Sequence, residues 1–198
     1  MSLLDTLSQS LSGEAVNEIS SQIGADSDKT ADALGVALPT LIAALKRNAA
    51  TPQGAENLMG ALSRDHDGSI LDRVSDFLGQ KKYEQPRGGS DILNHVFGSN
   101  RDRVEQGVSQ ASGLSSNASS QLMKMLAPMV LAAISKQVLS RNMSSDGLAD
   151  YLNQQEGELE KKEKKFSLLG RFLDQDGDGD FDFQDLTKLG IGMLFKRR

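Results

Sequence analysis

Cysteine is absent from the chain, so no disulfide framework and no thiolate nucleophile or ligand can contribute, and the redox compartment stays open. Tryptophan is absent as well, and aromatic residues make up only 5% of the sequence. Histidine occurs twice, at His66 and His95, with no second histidine at helical spacing from either, which leaves a zinc or iron site little to build on. No Gly-x-Ser-x-Gly elbow and no Gly-x-x-x-x-Gly-Lys-Ser/Thr phosphate loop occurs, so an enzyme is not expected. The longest apolar run, residues 125–134, is ten residues, about half of what a membrane span needs. The start, Met1-Ser2-Leu3-Leu4-Asp5, lacks the basic segment and apolar stretch of a secretory signal. A soluble, cytoplasmic protein without a membrane span is the expectation, with leaderless secretion left open.

What is present favours helices. Of 198 residues, 38% are hydrophobic and 25% charged, with alanine, leucine, serine and methionine prominent over β-branched residues. The length suits one ordinary domain and a small appendage.

One stretch names a chemistry: Asp174-Gln175-Asp176-Gly177-Asp178-Gly179-Asp180-Phe181-Asp182-Phe183-Gln184-Asp185. Counted from Asp174, it fits an EF-hand calcium loop at every position. Side-chain oxygens fall at positions 1, 3, 5, 9 and 12 (Asp174, Asp176, Asp178, Asp182, Asp185), the carbonyl of Asp180 at position 7, and the turn glycine, Gly179, at position 6. Calcium takes six to eight oxygens, and alternate aspartates on a tightly turning backbone can converge on one ion. Phe181 holds the apolar position 8. Apolar residues at helical spacing flank the loop, Phe166, Leu169 and Leu173 before it and Leu186, Leu189 and Met193 after it, giving a helix-loop-helix unit. Position 12 is aspartate, shorter than the glutamate of sensor loops, which predicts weak to moderate affinity and poorer discrimination against Mg2+. Gly170 and Gly190 each weaken their helix by ~1 kcal/mol relative to alanine. The net charge is -5 and the loop carries six aspartates, so the rest of the chain sums to +1. An empty loop repels itself, and a divalent cation should stabilise it.

The first 155 residues read as a duplicated helical domain, with repeats at about 1–79 and 89–155. Leu3, Leu4, Leu7 and Leu11, then Val16, Ile19 and Ile23, lie at helical spacing with a break at Ser12-Gly13, and Gly24 is a helix stop. Ser27 or Asp28 can cap a following helix that runs to about Asn48, apolar almost all round and carrying Pro39. Residues 23–47 align without gaps on residues 112–136, at an offset of 89. Gly24 meets Gly113, Pro39 meets Pro128, and Leu41-Ile42-Ala43-Ala44-Leu45 meets Val130-Leu131-Ala132-Ala133-Ile134. A shorter amphipathic helix follows each, over residues 54–62 and 147–152. Between the copies come a short helix over 68–78, a Gly/Lys/Gln/Pro-rich stretch over 79–89 expected to be a mobile loop, and an apolar face of Ile92, Leu93, Val96 and Phe97 closed by Gly98. Asp65-His66-Asp67-Gly68-Ser69 fails as a second calcium loop because Ile70 would occupy the turn position, and it reads as a turn in which Asp67 caps the next helix. His95 reads as a helix-surface or boundary histidine. Residues 156–165 form a charged helical connector or linker. The terminal Phe195-Lys196-Arg197-Arg198 complements a helix dipole and is a poor nucleic-acid footprint.

Ile23-Gly24-Ala25, Ala37-Leu38-Pro39-Thr40-Leu41-Ile42, Ala127-Pro128-Met129-Val130-Leu131, and Gly88-Gly89-Ser90-Asp91-Ile92-Leu93-Asn94-His95-Val96-Phe97-Gly98 together resemble the bacterial YidB-like family of unknown function over roughly residues 1–155. That resemblance implies a multihelical fold and a bacterial source, and carries no activity over to named positions. Residues 166–198 resemble EF-hand and dockerin-type calcium units. The expectation is an all-α protein: a calcium-binding scaffold or interaction protein, with an unidentified protein partner or self-association through the EF-hand. Behind it stand a structural helical protein holding a constitutive ion and, third, an enzyme of unrecognised type.

Overall fold

The structure, a computed structural model, describes residues 2–65, 68–80, 84 and 88–162. In chain order the α-helices are α1 (Leu3–Ser10), α2 (Glu14–Ile23), α3 (Ser27–Asn48), α4 (Pro52–Asp65), α5 (Val74–Gly79), α6 (Gly89–Phe97), α7 (Arg101–Ser112), α8 (Ser116–Arg141) and α9 (Ser145–Lys162). Short 3-10 turns cover Ser69–Asp72 and Gly98–Asn100, and no strand occurs among the described residues. The chain divides into two units, Met1–Glu156 and Gly157–Arg198.

A helix apolar on every side must be surrounded. In α8, Met123, Met125, Leu126, Met129, Val130 and Ile134 are all 0% exposed. Each such side chain contributes roughly 1.5–3 kcal/mol by leaving water. Helices α1, α2, α3, α4, α6 and α7 all pack on α8, as does the Ser69–Asp72 turn. By length and composition the whole helix could cross a membrane, which its ten-residue apolar run alone does not suggest; 78% of its most apolar 18-residue window is buried inside the protein.

Proline lies inside both long helices, Pro39 in α3 and Pro128 in α8. Each removes the amide that would bond the carbonyl four residues earlier, and its ring crowds that carbonyl. In α3 that carbonyl belongs to Gly35, which is exposed with open space around it, so water can take over. In α8 it belongs to Lys124, and Gly89, the first residue of α6, lies directly against it. A Cβ on Gly89 would collide with the Lys124 carbonyl. Gly89, with no side chain of its own, thus lets the backbone of α6 cover a carbonyl that has lost its own donor.

The two glycine stops close α2 and α7 in the left-handed region, Gly24 at φ 65° and Gly113 at φ 72°, where other residues are strained. Small hydroxyls let the neighbouring helices approach. Ser20 donates to Thr30 Oγ1 at 2.9 Å and Thr30 to the Asp26 carbonyl at 2.9 Å; Ser119 donates to the Glu105 carbonyl at 2.6 Å and Ser109 to the Leu114 carbonyl at 2.7 Å.

Several sequence boundaries shift. The residue before α3 is Asp26, with Ser27 and Asp28 already helical, and Asp26 makes no side-chain capping bond. Residues 68–78 hold a 3-10 turn and then α5 instead of one helix, because Arg73, at φ -141° and ψ 55°, leaves helical backbone between them. Helices α4 and α9 extend beyond 54–62 and 147–152, and α9 takes in residues 156–162 of the charged segment. The whole of α7 was not foreseen as an element. Most of the 79–89 stretch, His66, Asp67 and residues 163–198 lie outside the described residues.

Two glycines in helices should respond in opposite directions to alanine. Gly89→Ala should cost about 2 kcal/mol or more, since only backbone stands in the way. Gly35→Ala, with nothing within 4 Å, should stabilise by about 0.5–1 kcal/mol. Urea unfolding of both variants reads the two signs.

Candidate functional site

The six aspartates singled out as calcium ligands, Asp174, Asp176, Asp178, Asp180, Asp182 and Asp185, lie outside the described residues. Among the described residues no group of three or more His, Cys, Asp or Glu side chains is placed to hold a metal ion. The helical domain offers instead a groove of about 860 Å³. Its lining comes from α4 and α6, with α3 and α8 contributing Leu45, Asn48 and Leu131. Leu45, Leu58, Ile92, Val96 and Leu131 supply its apolar surface, and Glu56, Asn57, Arg64, Asp91 and His95 its exposed polar positions. A concavity of this size, apolar with a few polar groups, suits a small ligand or one turn of a partner's side chains.

The α6 wall is held from three helices. From α8 comes the close approach of Lys124 to Gly89. From α3, the Asn48 amide donates to the Val96 carbonyl at 3.0 Å while also donating to Ala44 of its own helix at 2.8 Å. From α7, Arg101 reaches α6 with a forked guanidinium: one Nη1 proton goes to Asn94 Oδ1 at 2.7 Å and the other is shared between Ser90 Oγ at 2.9 Å and the Ser90 carbonyl at 3.2 Å. Its Nε pairs with Glu105 Oε1 at 2.7 Å. The two side chains are 15% and 11% exposed, so the pair is largely out of water and its attraction is little screened. Glu105 is one turn after Arg101 on α7, which orients the guanidinium toward α6.

A second, polar hollow of about 750 Å³ lies where the two glycine turns meet, lined by Ser20, Gly24, Asp26 and Lys29 from the first and by Gly113, Leu114 and Ser115 from the second. Ser115 is already engaged in capping α8 through the Ala118 amide at 3.2 Å.

His95 is exposed on α6, in keeping with its reading as a surface or boundary histidine. Sequence reasoning missed the groove and the Arg101 fork. The spacing Arg101-x-x-x-Glu105 was visible as an ion pair within a helix, but nothing in it pointed to Ser90 and Asn94.

The fold and groove define an all-helical domain organised around one buried helix. Residues 5–137, more than half of the chain, match the family described as "Bacterial protein of unknown function (DUF937)". The chain belongs to that family. No curated protein matches the chain, and no solved structure does.

Arg101→Ala should cost about 3 kcal/mol in denaturant unfolding, because it leaves the Glu105 carboxylate buried without its partner. Arg101→Lys should recover only part of this, having charge without the fork. Lys136→Ala, which breaks the exposed pair with Asp72 at 2.7 Å, should cost less than about 1 kcal/mol.

Proposed function

We propose that the protein is a calcium-binding scaffold or interaction protein and not an enzyme. The single observation that carries this reading is the loop sequence from Asp174 to Asp185, which supplies an oxygen donor at each ligand position and glycine at the turn. In this reading Asp174, Asp176, Asp178, Asp182 and Asp185 give carboxylate oxygens and Asp180 its carbonyl. The ion is Ca2+, with Mg2+ as a competitor because Asp185 is a short final ligand. Bound calcium offsets the mutual repulsion of six carboxylates and orders the EF-hand-like unit at residues 166–198. The partner is another protein or a second copy of this chain meeting it through the hand, with Phe181 at the contact. The groove between α4 and α6 gives the helical domain a surface for such an assembly. The setting is cytoplasmic.

The helical domain is read as YidB-like and as a tandem duplication. Support comes from the 89-residue offset, at which α3 and α8 begin (Ser27, Ser116), both glycine stops recur (Gly24, Gly113), and buried hydroxyls recur at Thr30 and Ser119.

Calorimetric titration of EDTA-stripped protein should register one calcium site per chain, which survives excess Mg2+ with a weaker apparent affinity. A 100-fold excess over the dissociation constant should stabilise the C-terminal unit by about 2.7 kcal/mol. The Asp174→Ala, Asp178→Ala double variant should lose both effects; unchanged calcium binding in that variant would rule out the loop.

A further inference from the structure

The groove between α4 and α6 has a sealed counterpart within the same domain. In the tandem-duplication reading proposed above, on which this inference rests, α1 corresponds to α6, α3 to α8 and α4 to α9. Helices α3 and α8 start 89 residues apart, at Ser27 and Ser116. Helix α8 is the longer, 26 residues against 22, so the helices that follow start 93 apart, at Pro52 and Ser145. At that second spacing Ala55, Leu58 and Leu62 meet Leu148, Tyr151 and Gln155, and all of these are buried. At the first spacing Leu45, Ile92, Val96 and Leu131, which line the groove, meet Ile134, Leu3, Leu7 and Ile42.

The two sets differ in how well they are covered. Leu3, Leu7, Ile42 and Ile134 are all 0% exposed, whereas Ile92 is 9% exposed and Val96 is half-buried. In the sealed set α9 reaches α1, where Gln155 Oε1 accepts from the Leu3 amide at 2.6 Å. There too Leu148 and the Tyr151 ring stand in place of the smaller Ala55 and Leu58, with the Arg141 guanidinium 5.3 Å from the ring centroid. With shorter side chains on α4 the space stays open as the floor of the groove. An aliphatic lining that faces a gap loses dispersion contacts, and apolar cavities lined by Leu and Ile take up aromatic molecules that restore them. The rim carries both signs, Glu56 and Asp91 against Arg64, so it offers no one-sided field to a charged ligand. We propose that the groove binds a small uncharged aromatic molecule, whose ring takes the place that Tyr151 fills in the other repeat. This gives a ligand to a groove that the proposed assembly uses only as a surface, and it is independent of calcium.

Amide NMR titration of the full chain with p-cresol, the tyrosine side chain as a free molecule, tests this beside 4-methylcyclohexanol, its saturated counterpart. p-Cresol should shift the signals of Leu58, Ile92 and Val96 with a dissociation constant below about 1 mM. It should bind about 3-fold or more tighter than the saturated alcohol, which lacks the flat ring. Leu58→Tyr supplies the ring covalently, so it should raise the melting temperature by about 2–4 °C and weaken p-cresol binding about 10-fold or more. Ala61→Phe narrows the groove from a half-buried position on its α4 wall and should weaken p-cresol binding likewise. No shifts at millimolar p-cresol, or the same binding in both variants as in the unaltered chain, overturns the site. Equal binding of the saturated alcohol overturns the aromatic class. A lower melting temperature or loss of folding in Leu58→Tyr overturns the correspondence between repeats, and Ala61→Phe then decides the site by itself. A raised melting temperature without p-cresol binding to the unaltered chain upholds the correspondence and overturns the ligand.

Discussion

Burial of α8 is the constraint from which the arrangement of the other helices follows. A 26-residue helix with apolar residues on all sides cannot lie on a surface, so six helices surround it. Pro128 then breaks its hydrogen-bond ladder at one place and leaves the Lys124 carbonyl without its helical donor. The structure answers with the backbone of α6 at Gly89, which lies so close to that carbonyl that no side chain fits between them. The equivalent residue in α3, Gly35, is exposed, so the second irregularity lies on the surface of the domain. A proline that costs a hydrogen bond thereby helps choose where α6 docks.

That choice sets up the groove. With its N-terminus against α8, its C-terminus bonded by Asn48 and its outer face gripped by Arg101, α6 is a rigid wall. Helix α4 contacts α3 and α8, and the groove opens between it and α6. The stability of the helical domain comes from aliphatic burial and a few polar fasteners, among them the Arg101–Glu105 pair and the Gln155 bond to α1. Calcium chemistry, in the proposed function, is confined to the acidic loop.

The all-helical class was legible because helical spacing of Leu, Ile and Ala is local information, and so were the breaks at Ser12-Gly13 and the stops at Gly24 and Gly113. Pro39 and Pro128 announced irregular central helices. Helix α7 escaped because it is polar: its buried stripe is Glu105, Val108 and Ser112, with a single apolar residue among them. The groove escaped for a different reason. It exists only where α3, α4, α6 and α8 meet, and nothing in the sequence of any one of them records its neighbours. The same holds for Gln155, one glutamine in a charged stretch until its 2.6 Å bond to Leu3 gives it a task. The acidic loop is the converse case, since twelve consecutive residues carry the complete ligand pattern and its reading rests on sequence alone.

The proposed division between the helical domain and a calcium-binding C-terminus is tested most directly by amide NMR spectra of the isotopically labelled, EDTA-stripped chain before and after calcium. The account predicts well-dispersed signals from the first unit, Met1–Glu156, without any metal, and large calcium-dependent shifts confined mainly to residues 166–198, with the Gly179 amide among them. Collapse of the first unit's dispersion in EDTA, or the absence of any calcium response from residues 174–185, would contradict it.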